Sequence, residues 1–236
     1  MARAKNHPRL TKEYTLMYFS KSKYCSFWQC PKIVWLDKCK PEEKEIDEGA
    51  LGRMKSGNEV GDLAMGLFGD YTEVTACSAN GKLKLDEMKR KTAECIARGE
   101  ENICEASFDY NGLYCAVDIL HKENGGYAIY EVKSSTKLKY YYLVDVAYQK
   151  YVLEKCGVNV TGAYVVCINN EYKRNGEIDV KKLFTINNVK DLITDEYEVV
   201  ERNLKNAENL LSSCEEPNID IGEQCSLSHE CAYWKY

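Results

Sequence analysis

Hydrophobic and polar residues alternate along three neighbouring stretches in the middle of the chain, and this spacing of two predicts three consecutive β-strands. The predicted strands cover residues 103–110, 113–121 and 127–134. Asn111-Gly112 separates the first two strands, and Asn124-Gly125-Gly126 separates the second from the third. Asn-Gly and Gly-Gly are typical of tight hairpin turns, so we expect the three strands to form a β-meander.

Helical spacing and further apolar runs flank the meander. Helices are predicted over 57–68, 82–98, 142–155 and 189–213, and further strands over 71–77, 160–169 and 183–186. Ser20 is expected to cap a short helix, and Pro31 to begin a second one at its first turn. This order of elements predicts an α/β fold in which helices flank one central mixed β-sheet.

Length and composition indicate one ordinary globular domain. The chain has 236 residues, of which 44% are hydrophobic and 29% charged. We expect residues 1–16 to be an N-terminal arm or a cloning remnant, and residues 17–236, with a Cys-bearing C-terminal segment 214–236, to be the domain. No apolar run is long enough for a membrane helix or a signal peptide, so no membrane partner is expected.

Cysteine usage and charge bear on compartment and partners. Twelve Cys without an export signal indicate a reducing, cytoplasmic compartment, where spaced Cys pairs more often bind metals than form disulfides. The net charge of −5 does not indicate a nucleic-acid-binding protein, although a local Lys-rich groove can bind phosphates on an acidic protein.

Acidic residues occupy positions of the meander where packing residues are expected. Alternation puts Asp118 on the strand face of Ala116 and Leu120. Glu131 and Lys133 share one face of the next strand, about 7 Å apart by the strand rise. If the hairpin pairs these strands, Asp118 can face Glu131.

This arrangement predicts a divalent metal site. Two close carboxylates repel each other unless a cation lies between them, and Mg²⁺ takes oxygen ligands while keeping positions for water and phosphate. Lys133 beside the metal could orient or deprotonate a water that attacks a phosphodiester. Glu105, on the preceding strand, is a possible third acid. The alternative is structural: a partly exposed Asp, a Glu–Lys pair on a strand face, and a surface acid on an edge strand.

Basic and aromatic residues follow the third strand of the meander. Lys137 and Lys139 precede the run Tyr140-Tyr141-Tyr142. Lys with interleaved aromatic residues is typical of a single-strand path, because the charges follow phosphates and the rings stack on bases. A solvated loop whose tyrosines cover the core is the alternative. The sequence has no phosphate-binding Gly-rich loop, and its three His accompany no Ser or Cys motif suited to a triad hydrolase.

Asp118, the Glu131-Val132-Lys133 tripeptide and Gln149 on the following helix resemble the PD-(D/E)xK nuclease superfamily, in its RecB-like exonuclease branch. Within that branch the chain most resembles the CRISPR-associated iron–sulfur exonucleases and their uncharacterised bacterial relatives. The resemblance covers most of the chain, residues 18–236. It implies a restriction-endonuclease-like core in which Asp118, Glu131 and the backbone carbonyl of Val132 bind Mg²⁺ or Mn²⁺. It further implies that Lys133 is the catalytic lysine and that Gln149 orients the DNA end or that lysine.

Two positions depart from the pattern of that branch. Many RecB-like enzymes carry Gly-x-x-x-His in the first helix with the His on the metal, whereas Gly57 is followed at that spacing by Gly61. Glu59 could substitute as an acidic ligand, or it is a solvent-facing helix residue. The absence of the His argues more strongly against two-metal chemistry than against one-metal chemistry. The branch also has a Tyr one turn after the Gln, and Tyr151 lies near that spacing but not at it.

Cysteines near both ends of the chain resemble the ligands of the iron–sulfur branch, in which one N-terminal and three C-terminal Cys hold a 4Fe–4S cluster. Gln29-Cys30-Pro31-Lys32 resembles the N-terminal motif, and Cys225-x5-Cys231 resembles the C-terminal part. The candidates for the fourth ligand are Cys25, Cys214 and a Cys beyond Tyr236. A Zn²⁺ site that uses His229 is the main alternative, and free thiols are another.

These residues together predict a metal-dependent DNA exonuclease that acts on single-stranded or frayed ends. A catalytically silent nucleic-acid-binding module with a cluster is one alternative. A zinc-stabilised interaction domain is the other.

Overall fold

A seven-stranded mixed β-sheet lies at the centre of the protein in a computed structural model, which describes residues 18–45, 48–213 and 215–236. Its strands are β1 (Phe19–Ser20), β2 (Thr72–Glu73), β3 (Asn102–Tyr110), β4 (Leu113–Glu123), β5 (Gly126–Lys133), β6 (Val160–Ile168) and β7 (Phe184–Asn188). The helices are α1 (Lys21–Gln29), α2 (Pro31–Cys39), α3 (Glu48–Ala64), α4 (Leu85–Arg98), α5 (Tyr140–Lys155), α6 (Val180–Leu183) and α7 (Thr194–Ser212). Short 3₁₀ turns cover Pro41–Glu43, Met65–Phe68 and Glu223–Ser226.

The strands follow the order β2-β3-β4-β5-β6-β7, and β1 pairs with the beginning of β4. β3, β4 and β5 form an antiparallel meander, whereas β5 and β6 are parallel. A parallel pair needs a crossover connection, and α5 supplies it on one face of the sheet. The predicted α/β architecture, a central mixed sheet flanked by helices, is confirmed.

Local sequence signals account for the turns and the first two helices. Asn111 and Asn124 adopt φ of 52° and 49°, and the Gly after each also has positive φ, as tight hairpin turns require. The Ser20 hydroxyl accepts the Lys23 N–H at 3.3 Å and caps α1, and Pro31 is the first residue of α2.

Each face of the sheet has its own hydrophobic core. On one face α1, α4, α5 and α7 pack against the strands, with Tyr24 and Tyr148 fully buried between them. On the other face the end of α3 and the following 3₁₀ turn cover the sheet through Ala64 and Leu67. Both faces are therefore shielded from water, which agrees with the apolar character of β6.

Three predicted elements differ from the structure. The strand predicted over 71–77 is only Thr72–Glu73, because two of its residues pair with β3 at the edge of the sheet, where strands are often short. The helix predicted over 57–68 begins at Glu48, since its first half is largely exposed and shows no apolar spacing. The helix predicted from residue 189 begins at Thr194, because the Val189 N–H donates to Ala163 of β6 at 2.9 Å.

The arm predicted over residues 1–16 lies outside the described residues, and so does Cys214. Within the described ranges, no helix combines the length and the apolar character needed to cross a membrane.

Candidate active site

Strands β4 and β5 separate at Asp118. Their ladder ends at the pair Ile119–Tyr130, and the first part of β4 pairs with β1 instead. At the point of separation the Val132 N–H donates to Asp118 Oδ2 at 2.6 Å, so a side chain replaces a backbone partner. The sheet therefore opens beside Glu131, the residue that would otherwise pair with Asp118.

Glu105 lies across from this opening, in β3. Its φ of 57° is left-handed, and the ladder between β3 and β4 omits the Glu105–Asp118 pair. Val117 and Leu120 pack into the same core, although strict alternation would put them on opposite faces. The predicted continuous row of Ala116, Asp118 and Leu120 on one face is therefore wrong, because the strand is irregular at Asp118. Such backbone strain costs of order 1–3 kcal/mol and often lies at functional sites.

Three of the predicted residues meet on the face covered by α5. Lys133 Nζ lies 2.6 Å from Glu131 Oε1, and Gln149 Nε2 donates to Glu131 Oε2 at 2.7 Å. Glu131 is 2% exposed and Gln149 is fully buried. The third strand of the meander and the helix of the crossover thus bring Glu131, Lys133 and Gln149 together beside Asp118.

Asp145 is a further acid of the site that the sequence analysis missed. It accepts from Lys133 Nζ at 2.6 Å and from Gln149 Nε2 at 2.9 Å, and it is 7% exposed. It precedes Gln149 by four residues, so both side chains lie on one face of α5. The four-residue spacing from Gln149, a residue that the resemblance places in the site, is a signal of Asp145 in the sequence.

Lys21, the first residue of α1, was also missed. Its Nζ lies 3.0 and 3.1 Å from the two carboxylate oxygens of Glu131 and 3.7 Å from Asp145 Oδ1. The two partners in the Lys21–Glu131 pair are 110 residues apart in the chain, and no local pattern marks Lys21. Only the packing of α1 against α5 places it here.

Burial raises the pKa of three carboxyl groups in the site. For Glu131, burial together with repulsion from Asp118 and Asp145 raises the pKa to about 7, against the attraction of the two lysines. Burial likewise raises the pKa of Asp118 and that of Glu105. These carboxyl groups hold their negative charge poorly until a further cation approaches.

The other charged groups of the site, Asp145 and the two lysines, have pKa values that favour their charged forms. Burial would raise the pKa of Asp145, but Lys133 and Lys21 outweigh it and hold that pKa well below its usual range. Burial also opposes the charged forms of the lysines, yet their carboxylate neighbours raise the pKa of Lys21 and that of Lys133. Both lysines are therefore ammonium ions at neutral pH.

The donor set has the chemistry that Mg²⁺ and Mn²⁺ prefer, namely hard oxygen ligands with excess negative charge. Four carboxylates surround two lysines, which leaves two negative charges uncompensated when all are ionised. The side-chain oxygen of Gln149 is buried and has no hydrogen-bond partner among the described residues. Lysines lie between the acids, and no group of three or more His, Cys, Asp or Glu in the described ranges is arranged to hold a metal as it stands. The carboxylates at the site are Glu105, Asp118, Glu131 and Asp145.

The other acid predicted as a ligand lies on α3. Glu59 is exposed there. Asp62, three residues later on the same helix, adds to the raised pKa of Glu105, after burial and other acids.

An open cleft of about 1350 Å³ leads to the site. Lys21, Lys133 and Asp145 line it at the site, and Lys137 and Lys139 line it further out. Its Trp and Tyr lining residues are Trp28, Tyr141, Tyr142 and Trp234.

Two tyrosines of the predicted nucleic-acid path occupy different environments. Tyr140 is 59% exposed, and its ring centroid lies 6.0 Å from that of Trp28, which lines the cleft. Tyr151 is 8% exposed and packs in the hydrophobic core, 6.2 Å from the ring centroid of Tyr197.

Cysteines from both ends of the domain line a second pocket. Cys30 precedes α2, and Cys225 and Cys231 belong to the C-terminal segment. The proximity of Cys225 and Cys30 contributes to the raised pKa of Cys231, after burial. Cys25 does not line this pocket: it lies in the cleft, near Asp145.

His229, the residue of the zinc alternative, lines the cleft, where its ring packs 5.6 Å from that of Tyr141. Its backbone carbonyl accepts from Gln29 Nε2 at 2.8 Å, which holds the C-terminal segment against α1.

Comparison of the sequence with protein-family models gave no match, and comparison with curated proteins gave none either. The likeness to PD-(D/E)xK nucleases therefore depends on the residues of the site described above.

Proposed function

We propose that the protein is a metal-dependent DNA exonuclease of the PD-(D/E)xK type, which hydrolyses phosphodiester bonds at single-stranded or frayed ends. One observation carries the proposal: Asp118, Glu131, Lys133 and Gln149 meet where β4 separates from β5, at one end of an open cleft. Asp118 comes from β4, Glu131 and Lys133 from β5, and Gln149 from α5, so three elements of the fold contribute to the site.

Oxygen atoms of Asp118, Glu131 and the Val132 backbone carbonyl would hold Mg²⁺ or Mn²⁺. When bound, such an ion lowers the pKa of a water and neutralises charge on the phosphate. The two uncompensated charges of the site and its raised carboxyl pKa values support a divalent ion.

Lys133 is an ammonium ion in this environment, so it is a donor rather than a base. Its hydrogen bonds to Glu131 and Asp145 hold Nζ in place, and Lys133 lines the cleft, where it can stabilise charge that develops on the phosphate oxygens. Gln149 keeps Glu131 and Asp145 in place through its amide group, and its unpartnered oxygen can accept from a bound water.

The cleft favours a single strand of DNA as the substrate. Among the described residues that line it, five Lys face three acids, although the whole chain has a net charge of −5. Exposed rings such as Trp234, at 49%, are available to stack on unpaired bases.

End-labelled single-stranded and duplex DNA incubated with Mg²⁺ or Mn²⁺ tests the proposal. Asp118→Ala and Lys133→Ala are expected to lower the digestion rate by about 10²–10⁴-fold. Lys150→Ala is the matched control, because Lys150 pairs with Glu154 on α5 away from the site. Undiminished digestion by both site variants would contradict the assignment.

Cys30, Cys225 and Cys231 support a second proposal, a bound iron–sulfur cluster that joins the two ends of the domain. The cluster needs a fourth thiolate, and Cys25 lies in the cleft rather than in this pocket. Metal analysis after anaerobic purification tests this: iron and sulfide in wild type, lost in Cys225→Ser, support the cluster. Zinc without iron would favour the zinc-stabilised domain instead.

One observation favours the catalytically silent alternative. Lys21 and Lys133 already pair with the buried acids, as in a purely structural ion-pair network. DNA binding that is retained in wild type without any Mg²⁺- or Mn²⁺-dependent digestion would support that alternative.

A further inference from the structure

Lys21 lies between the buried carboxylates and the cleft. Its side chain is 20% exposed and lines the cleft, whereas the Glu131 side chain behind it is 3% exposed. A cation that enters from the cleft therefore meets the ammonium groups of Lys21 and Lys133, which has the same exposure, before it reaches Glu131.

The hydrogen bonds of Glu131 leave no oxygen open to a metal. Lys21 contacts both carboxylate oxygens, Lys133 contacts Oε1, and Gln149 contacts Oε2. Metal coordination by Glu131 requires at least one of these donors to leave.

Of the three donors, Lys21 is the one held least firmly. Lys133 and Gln149 are also bound to Asp145, at 2.6 and 2.9 Å, so both are held between two carboxylates. Lys21 approaches Asp145 only to 3.7 Å. Its flexible four-carbon stem also allows the ammonium to turn into the cleft without movement of α1.

We propose that Lys21 is a built-in counter-ion of the metal site. It neutralises Glu131 until a divalent ion displaces it, and it then points into the cleft, where it binds a backbone phosphate of the DNA. This role rests on the proposed nuclease function and adds a phosphate-positioning residue from outside the Asp118 and Glu131-x-Lys133 motif.

The two halves of this role predict opposite effects of one substitution. Lys21→Met removes the competing ammonium, so Mn²⁺ alone should bind about five- to tenfold more tightly. The same variant lacks the phosphate contact, so digestion at saturating Mn²⁺ should be about 10–100-fold slower. Lys21→Arg keeps a cation and should retain weak Mn²⁺ binding and most of the digestion rate.

Titration of the full chain with Mn²⁺, followed by calorimetry, tests the proposal independently of activity. Lys23→Met is the matched control on the same helix, because Lys23 Nζ lies 5.7 Å from the Phe19 ring centroid rather than at the carboxylates. Tighter Mn²⁺ binding in Lys21→Met, but not in Lys21→Arg or Lys23→Met, supports the counter-ion role.

Equal Mn²⁺ affinity in wild type and Lys21→Met overturns the counter-ion role, even if digestion falls. Absence of Mn²⁺ binding in both proteins overturns it as well. Wild-type protein that binds Mn²⁺ but digests no DNA would contradict the nuclease function alone, and Lys21→Met would still be informative.

Discussion

At the residue scale, Glu131 has the most demanding position in the protein. It is almost completely buried and accepts from Lys21, Lys133 and Gln149, which together supply the hydrogen bonds that a buried carboxylate needs. Its pKa is nevertheless raised to about 7, by burial first and then by Asp118 and Asp145. The charged form of Glu131 therefore opposes folding, and its position indicates a role other than stability.

This raised pKa predicts how stability depends on pH without divalent metal. Unfolded Glu131 loses its proton near 4.5 and folded Glu131 near 7, so the folded state binds more protons between these values. The free energy of unfolding should fall as pH rises through this range, by up to about 1.4 kcal/mol per pH unit from this group. Chemical denaturation in a chelator at several pH values measures the slope.

Glu131→Gln should reduce that slope, because the amide does not titrate. Some slope should remain, since the pKa of Asp118 and that of Glu105 are raised as well. Identical slopes for wild type and Glu131→Gln would show that Glu131 has an ordinary pKa in the folded protein.

Asp145, unlike Glu131, should stabilise the folded protein in its charged form, because Lys133 and Lys21 both pair with it. Asp145→Ala should lower the free energy of unfolding by about 2–4 kcal/mol, since Lys133 and Lys21 would then share Glu131 as their remaining close acid. Glu94→Ala, which breaks an exposed pair with Arg90 on α4, is the control and should have little effect. Urea denaturation at pH 7 measures both, and equal losses would contradict a structural role for the Asp145 pairs.

At the scale of elements, the site depends on how β5 is held between β4 and β6. β5 begins at Gly126 and ends at Lys133, so its register determines where Glu131 projects. Gly126 lies so close to the backbone just before β6 that an added Cβ would be 2.2 Å from the Asn159 carbonyl oxygen. The start of β5 therefore requires a residue without a side chain.

A matched pair of Gly→Ala substitutions tests this contact. Gly126→Ala should destabilise the protein by about 1–3 kcal/mol, because the backbone must move to accept the methyl group. Gly61→Ala, in α3 with open space around its Cβ position, should stabilise it by about 0.5–1 kcal/mol through helix propensity. Thermal unfolding measures both, and a neutral Gly126→Ala would show that β5 can shift to admit a side chain.

At the scale of the whole molecule, the C-terminal segment packs against the first two helices. Tyr233 is 5% exposed and packs with Trp35 and Leu36 of α2, and its hydroxyl donates to Asp37 at 2.7 Å. The same segment contributes Trp234 and Lys235 to the wall of the cleft. The packing of the tail therefore completes both the cysteine pocket and the cleft.

Substitutions at Tyr233 should separate packing from hydrogen bonding. Tyr233→Ala should destabilise the protein by about 2–4 kcal/mol, because it leaves a cavity against Trp35 and Leu36. Tyr233→Phe loses only the hydrogen bond to Asp37, a cost of about 1 kcal/mol. Hydrogen exchange of the tail amides should increase in the alanine variant, and unchanged exchange would show that the tail is held by other contacts.

Periodicity and turn chemistry determined the order of the elements. The meander, the Asn-Gly turns, the Ser20 cap and the Pro31 start are local features, so they follow from neighbouring residues alone. The length of β2 and the start of α7 differ from the prediction. Both boundaries depend on contacts with strands that are distant in the sequence.

The shared face of Glu131 and Lys133 was predicted because side chains alternate along a strand, over a short distance in the chain. Gln149 was assigned to the site through the family resemblance. The partners of these residues came only from the tertiary structure. Lys21 reaches Glu131 across 110 residues, and β1, from the beginning of the domain, pairs with the first residues of β4 after β4 and β5 have separated. Local periodicity carries no information on which distant surfaces meet. The types of residue that form the site could therefore be predicted from the sequence. Their charge balance was decided by the packing of α1 on α5.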